Sequence, residues 1–175
     1  MRTKKLAHLS LLTAVGIAIH IIESFIPLPI QGVPGAKLGL ANIVNLITLV
    51  VFGFKEAIVV AVLRCFVGAL GTGAVTGFFF SLLGALASTV VMFIAYKFGS
   101  KKFSLIGVSI FGALSHNIAQ LSVAGIIINN ILVFSYLPIM TLTSLFTGYF
   151  VGLTANYGSK NLQNILSKTD RKSVV

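Results

Sequence analysis

The chain has 175 residues, of which 57% are hydrophobic and only 9% are charged, and its formal net charge is +10. Soluble domains carry about 25% charged residues, so this composition excludes a soluble fold, because too few charges are present to cover so much apolar surface. A membrane-spanning helix needs about 20 apolar residues, which limits the chain to one compact domain of about six or seven spans.

Apolar runs separated by polar or turn residues predict six transmembrane helices. In chain order they cover residues 6–26, 38–54, 57–70, 78–96, 105–128 and 132–155. The first connection, residues 30–37, contains glycine and proline, and residues 71–77 contain three glycines, so both segments are predicted loops. Asn129 and Asn130 predict a turn before the last helix. The predicted fold is an all-α membrane protein, a bundle of about six transmembrane helices.

Lysine and arginine residues concentrate in segments that six spans place on one side of the membrane. Only Lys37 lies in an opposite loop, and only Arg64 lies within a span. The positive-inside rule makes the basic side cytoplasmic. We therefore predict a multi-pass plasma-membrane protein with cytoplasmic termini, residues 1–155 as its transmembrane domain and residues 156–175 as a polar, basic cytoplasmic tail. Topology and attraction to anionic lipid account for the net charge, which argues against a nucleic-acid partner.

Two charged side chains are predicted to lie within the spans, where a charge is costly unless it is paired or faces water. Arg64 is the deepest permanent charge, because arginine stays protonated even when it is buried. Glu23 is the one acidic residue that lies in a span away from the cytoplasmic face. Whether the two pair is left open, because their estimated depths differ by about 10 Å at a rise of about 1.5 Å per residue.

Neutral polar residues accompany these charges in the predicted outer half of the bundle, and Lys37 lies at its mouth. The predicted substrate-binding residues are Glu23, Lys37, Asn42, Asn45, Arg64, His116, Asn117 and Gln120. Their convergence would form a pocket with a cationic floor and amide walls, which suits a small polar or anionic head group. Two alternatives stay open, since interhelical hydrogen bonds also explain single amides and interfacial snorkelling also explains Lys37.

Small residues recur at four-residue spacing on the predicted helices. Ala14 and Ala18 share a face of the first span, and Gly148 and Gly152 share a face of the last. Small faces let helix backbones approach closely in a membrane. Packing within the bundle and docking of a partner both remain possible uses of such a face.

Enzyme motifs are missing from the sequence. It contains no P-loop, Rossmann glycine fingerprint, HExxH or GxSxG pattern. Its three acidic residues leave no paired-carboxylate or multi-carboxylate magnesium site, and its three histidines lie at different predicted depths. We therefore predict a protein that is not an enzyme and holds no metal and no cofactor.

Four stretches of the sequence form a recognisable set. They are residues 23–29 (Glu-Ser-Phe-Ile-Pro-Leu-Pro), residues 34–43 (Pro-Gly-Ala-Lys-Leu-Gly-Leu-Ala-Asn-Ile), Leu63-Arg64 followed by Gly68 and Gly71, and residues 115–120 (Ser-His-Asn-Ile-Ala-Gln). Together they resemble the Gx transporter family, often labelled heptaprenyl diphosphate synthase component I, over residues 6–155, and the second stretch is the most specific. The family is similar to the substrate-binding S components of energy-coupling factor (ECF) transporters, six-helix proteins that capture vitamins or related molecules.

The resemblance implies a transporter subunit that works with a transmembrane coupling protein and two cytoplasmic ATPases. Ala14 and Ala18 then match the S-component surface that docks on the coupling protein, and loops 30–37 and 71–77 would gate the pocket. The label of prenyl synthase component fits the residues poorly, because prenyl elongation resembles chemistry of aspartate-rich magnesium motifs and the chain has one aspartate.

Two other functions remain open. A non-transporting accessory subunit would serve quinone or polyprenyl diphosphate synthesis, or flavin-based extracellular electron transfer. A membrane-embedded enzyme would have His116 as its one obvious acid–base group.

Overall fold

The computed structural model describes residues 2–26, 37–73, 75–99 and 103–172. Within these residues the chain forms six α-helices and one 3-10 helix. They are α1 (Arg2–Ser24), α2 (Asn42–Val51), α3 (Phe54–Thr72), α4 (Val75–Gly99), α5 (Leu105–Ile128), the 3-10 helix Ile131–Tyr136 and α6 (Leu137–Lys172). The predicted all-α bundle of six helices is confirmed.

In the part of the chain that the structure describes, four stretches are long and apolar enough to cross a membrane, by length and composition. They are Thr3–Ser24, Gly77–Gly99, Leu105–Ile128 and Ile131–Lys168. The bundle also has an inverted surface, because large exposed side chains such as Leu11, Phe98 and Phe146 are apolar, while many buried side chains are polar. This arrangement is expected when lipid rather than water surrounds the helices. The chain is therefore a multi-pass membrane protein.

The shortest α-helix of the described residues, α2, occupies the centre of the bundle. It has 10 residues, a length of about 15 Å against a hydrocarbon core of about 30 Å. It packs against α1, α3, α4 and α6, and seven of its residues are buried. The span predicted over residues 38–54 is thus too long. Residues 37–41 are not helical, and Phe52 and Gly53 turn the chain into α3, with Gly53 at a φ of 103°.

Both ends of α6 differ from the predicted span over residues 132–155. The 3-10 helix precedes α6, and α6 then runs unbroken through the predicted tail as far as Lys172. Its 36 residues measure about 54 Å, more than the bilayer thickness of about 40–45 Å. Packing explains the first part of the extension, because Gly158 lies against Ile47 of α2 and Ser159 is buried. The division into a domain and a tail stays a prediction.

Glycine allows α6 to approach α5 closely. A Cβ atom on Gly148 would lie 2.8 Å from the Cα of Ile110, and a Cβ atom on Gly152 would lie 2.5 Å from the Cα of Ile106. Any larger residue would therefore push the two backbones apart. This glycine pair serves packing within the bundle, and the contact holds α5 in place to present its polar face to α2 and α4.

Candidate functional site

Polar side chains from five helices meet at the N-terminal end of α2. Hydrogen bonds connect most of them to one another or to the non-helical residues that precede α2. We call the group the polar network; its members are His20, Glu23, Ser24, Lys37, Asn42, Asn45, Arg64, Thr89, His116 and Gln120. Seven of the eight predicted substrate-binding residues belong to it.

Arg64 lies in the middle of the polar network and is 3% exposed. Its Nε donates to the Oδ1 of Asn45 over 3.1 Å, and its Nη2 donates to the Oδ1 of Asn42 over 2.8 Å. Asn45 in turn donates to the hydroxyl of Thr89 over 3.0 Å. Gly16 of α1 makes room for the side chain, because a Cβ atom there would lie 3.2 Å from the Cδ of Arg64. Amide oxygens thus solvate this buried charge without neutralising it.

Glu23 is buried but does not form an ion pair with Arg64. Its carboxylate accepts hydrogen bonds from the backbone N–H groups of Gly39 and Leu40. Gly39 has a φ of 82°, a left-handed conformation that favours glycine. Among the described residues the one ion pair joins Lys5 to Glu56. Glu23 therefore holds the turn before α2 against α1. Its negative charge is favourable there because it lies near the N-terminus of α2.

Lys37 closes the network from the side of the α1–α2 connection. Its Nζ donates to the Oγ of Ser24 over 2.7 Å and to the Nε2 of His20 over 2.8 Å. Its backbone N–H donates to the Oε1 of Gln120 over 3.2 Å. Burial lowers the pKa of the Lys37 ammonium, and the nearby carboxylate of Glu23 opposes this shift. One residue thus ties α1 to α5.

His116 and Gln120 bring α5 into the network. The Nε2 atoms of the two side chains lie 3.0 Å apart, and the Nδ1 of His116 lies 3.3 Å from the Nδ2 of Asn42. The imidazole fits because α4 has a glycine opposite it. A Cβ atom on Gly84 would lie 2.7 Å from the Cε1 of His116.

Sequence reasoning did not assign several residues of this site. His20 shares a helix face with Glu23, which is a usable signal. Gly68 of α3 makes room for the His20 ring, because a Cβ atom there would overlap it. The packing roles of Gly68, Gly84 and Thr89 were not predicted from the sequence, since these roles depend on which helices become neighbours.

Asn117 lies outside the polar network, although it was predicted to belong to the site. Its Nδ2 donates to the backbone oxygen of Met140 over 2.8 Å and to the Oγ of Ser144 over 2.7 Å. Both partners are on α6. The residue therefore links α5 to α6. This is the alternative role, an interhelical hydrogen bond, that the sequence left open for a single amide.

The structure describes only part of the two loops, residues 30–37 and 71–77, that were predicted to gate the pocket. Of residues 30–37, only Lys37 lies within the described residues. In residues 71–77, α3 ends at Thr72 and Gly73 follows in a left-handed conformation with a φ of 66°. Their gating role stays a prediction.

The charges of the network do not cancel. With ordinary protonation states at neutral pH, Lys37 and Arg64 are positive and Glu23 is negative. Glu56 is bound to Lys5. Asp170 lies far along α6 from the network, because it is about 39 Å, at about 1.5 Å per residue, from Ser144, the α6 residue that contacts Asn117 next to His116. Residues 27–36, which precede Lys37, contain no ionisable side chain. The network therefore carries one uncompensated positive charge.

A groove of about 440 Å³ runs between α1 and α3 on the outside of the bundle. Most of its lining is apolar, and Lys55 and Glu56 lie at one end. Ala14 lines this groove, and Ala18 is exposed on the same helix. Both alanines thus face outward, and their role in docking stays a prediction.

Metal ligands do not gather in the part of the chain that the structure describes. No group of three His, Cys, Asp or Glu side chains there is placed to hold an ion. The polar network offers amides, imidazoles and cations, which are donors suited to oxygen atoms of a ligand.

Comparison with known proteins identifies the family. No curated protein and no solved structure matches the chain. A family model described as heptaprenyl diphosphate synthase component I matches residues 12–158, which is 147 of the 175 residues. The match contains all residues of the polar network, the whole of α2 to α5 and the part of α1 from residue 12 onward. The chain therefore belongs to the heptaprenyl diphosphate synthase component I family.

Proposed function

We propose that this protein is the membrane-embedded, substrate-binding subunit of an uptake transporter of the energy-coupling-factor type, an S-component-like protein. Its substrate is a small molecule with an anionic group, such as a vitamin or a vitamin precursor. The protein is not an enzyme, and it lies in the plasma membrane with both termini in the cytoplasm.

The uncompensated charge at Arg64 is the observation that carries this proposal. A guanidinium at membrane depth is costly, and a protein that needed it only for packing would gain by neutralising it. Here the carboxylate of Glu23 is held by two backbone N–H groups, while Arg64 contacts neutral amides. A bound anion would supply the missing negative charge.

Energy for uptake has to come from other subunits, because the sequence contains no nucleotide-binding motif. A transmembrane coupling protein and two cytoplasmic ATPases would provide it. The outward-facing alanines Ala14 and Ala18 support docking on α1, since small residues allow the close helix contact that membrane assembly requires. Reorientation of the whole subunit would then release the substrate inside.

Native mass spectrometry of the gently purified protein tests the proposal. We expect a small anionic molecule to co-purify with the wild type and to be lost in Arg64→Gln, which keeps amide donors but removes the charge. Arg64→Lys should retain part of it, and Lys160→Gln, a change at an exposed cation of α6, should retain all of it. A loss of about tenfold to hundredfold corresponds to one charge-assisted hydrogen bond. Equal retention by folded Arg64→Gln protein would refute the proposal.

A second candidate function is supported by the family's name and by the groove between α1 and α3. The name describes a component of a heptaprenyl diphosphate synthase, so the chain would act as a non-catalytic membrane subunit beside another synthase component. Flavin-based extracellular electron transfer is a related accessory role. The apolar groove of about 440 Å³ would hold part of a polyisoprenoid chain. Polyisoprenoid that co-purifies independently of Arg64, with no polar ligand, would favour this accessory role over transport.

A further inference from the structure

The helices α1 and α3 pack closely at one end and separate toward the other. Near their C-terminal ends glycine brings them together, because a Cβ atom on Gly68 would overlap the ring of His20. Toward their N-terminal ends the groove of about 440 Å³ lies between them. There the ion pair between Lys5 of α1 and Glu56 of α3 connects the two helices. The groove is therefore a gap between diverging helices with a charged contact at one end.

The groove has the length of one lipid chain. Its lining on α1 extends from Leu6 to Ile17, a distance of about 16 Å at about 1.5 Å per residue. One leaflet of the hydrocarbon core measures about 15 Å, half of a total of about 30 Å. Leu6, Val59 and Leu63 in the lining are 46–65% exposed, so the groove is open along its side. A chain of the surrounding bilayer can therefore enter it from the side and fill its whole length.

The end of the groove at the start of α1 and α3 has a positive charge. Lys55 and Glu56 line this end, and Lys5 binds Glu56. Two ammonium groups beside one carboxylate leave one positive charge in excess. The positive-inside rule places this end at the cytoplasmic surface, where lysine side chains attract anionic lipid head groups.

A second cavity adjoins the groove at the charged end. Its volume is about 410 Å³, close to that of the groove, and Leu6 and Leu9 line both spaces. Lys5 lines the second cavity, whereas its partner Glu56 lines the groove. The ion pair therefore lies where the two spaces meet. A molecule with one head group and two apolar chains has room at this junction, and a single-chain lipid would fill only one of the two spaces.

We propose that the groove and the second cavity bind an anionic phospholipid of the cytoplasmic leaflet, with its phosphate between Lys5 and Lys55 and one acyl chain along the groove. The phosphodiester of such a lipid carries a single negative charge, which matches the excess charge of the site. A terminal phosphate carries about 1.5 to 2 negative charges, and a diphosphate carries more. The occupant thus differs from the polyisoprenoid of the second candidate function, and the site depends neither on Arg64 nor on transport.

Native mass spectrometry with defined lipids tests the head-group site. The protein in detergent is mixed with phosphatidylglycerol or with phosphatidylcholine of the same acyl chains, and we expect it to retain phosphatidylglycerol preferentially. Lys55→Gln should reduce this preference about fivefold and Glu56→Gln should increase it by a similar factor, because one charge near the membrane surface has about this effect. Lys160→Gln, the same charge change at an exposed residue of α6, should leave the preference unchanged.

A substitution that fills the groove tests the acyl-chain site. Ser10→Phe places an aromatic ring in the lining. Leu11→Phe is the matched control, because Leu11 is exposed and lies outside the lining that the structure describes. We expect Ser10→Phe to retain at least about tenfold less phospholipid than Leu11→Phe. Both variants should unfold at nearly the wild-type temperature, because both positions are exposed.

Three results would overturn the proposal. Equal retention of the two lipids by the wild type would leave only a non-specific lipid contact. Equal retention by Ser10→Phe and Leu11→Phe would exclude the groove, and polyisoprenoid that co-purifies in place of phospholipid would assign the groove to the second candidate function. Arg64→Gln should retain the phospholipid, so a failure of the transport function would leave this site intact.

Discussion

Gly84→Ala tests whether the packing of His116 controls the polar network. The new methyl group would lie 2.7 Å from the Cε1 of His116 and 2.8 Å from its Nδ1, whereas carbon atoms in contact prefer about 3.5–4.0 Å. The ring would have to move by about 1 Å. A movement of this size would distort its contacts with Gln120 and Asn42, which are 3.0 and 3.3 Å long. Overpacking of this kind costs about 1–3 kcal/mol.

Thermal unfolding in detergent and ligand retention by native mass spectrometry measure the two effects. We expect Gly84→Ala to lose stability and to bind the co-purifying molecule at least about tenfold more weakly, because it perturbs at least one hydrogen bond to a charged ligand. Gly107→Ala is the matched control, since its Cβ atom would make only an ordinary contact of 3.6 Å with Phe103 and should gain up to about 1 kcal/mol of helix propensity. If both variants are equally stable and bind equally well, the steric argument for His116 is wrong.

Three further predictions concern other parts of the molecule. Replacing Ala14 and Ala18 together by leucine should weaken co-purification with a coupling protein. The thermal unfolding temperature should stay unchanged, because both residues are exposed. Intact assembly would exclude this docking face. Anion binding should weaken as the pH rises through the lowered pKa of Lys37, since binding favours its charged form. Affinities measured across a pH series should show this decrease, and Lys37→Met should abolish it. Asn117→Leu should lower stability by about 1–3 kcal/mol through lost hydrogen bonds between α5 and α6 without changing which molecule co-purifies, and a changed ligand would contradict its structural role.

Helix number and membrane character follow from local features of the sequence. Apolar runs and glycine, proline and asparagine punctuation are short-range signals, so they locate helices without knowledge of the fold. The turn at Asn129 is an example, because the residue ends α5 in a left-handed conformation with a φ of 52°. The same reasoning overestimated α2, since an apolar run does not reveal how much of it is helical when neighbouring helices bury it on all sides.

The candidate site was only partly predictable for a related reason. A polar residue in an apolar run stands out by its cost in lipid, which is why Arg64, Asn42 and His116 were recognised. The way in which they pair was not predicted, because hydrogen bonding depends on distances across helices. Asn117 shows the limit, since it is adjacent to His116 in sequence but points to α6, as two neighbouring positions on a helix face different directions.

The sequence by itself determined that the chain crosses the membrane several times and that a few costly polar groups lie among its spans, because both follow from the free energy of placing each residue in lipid. Only the tertiary structure decided that Glu23 binds backbone N–H groups while Arg64 donates to two amide oxygens, and that Gln120 and Asn42 both contact His116. Pairing of charges and matching of donors with acceptors depend on distances of a few ångströms between helices far apart in the chain, and helix packing alone sets those distances.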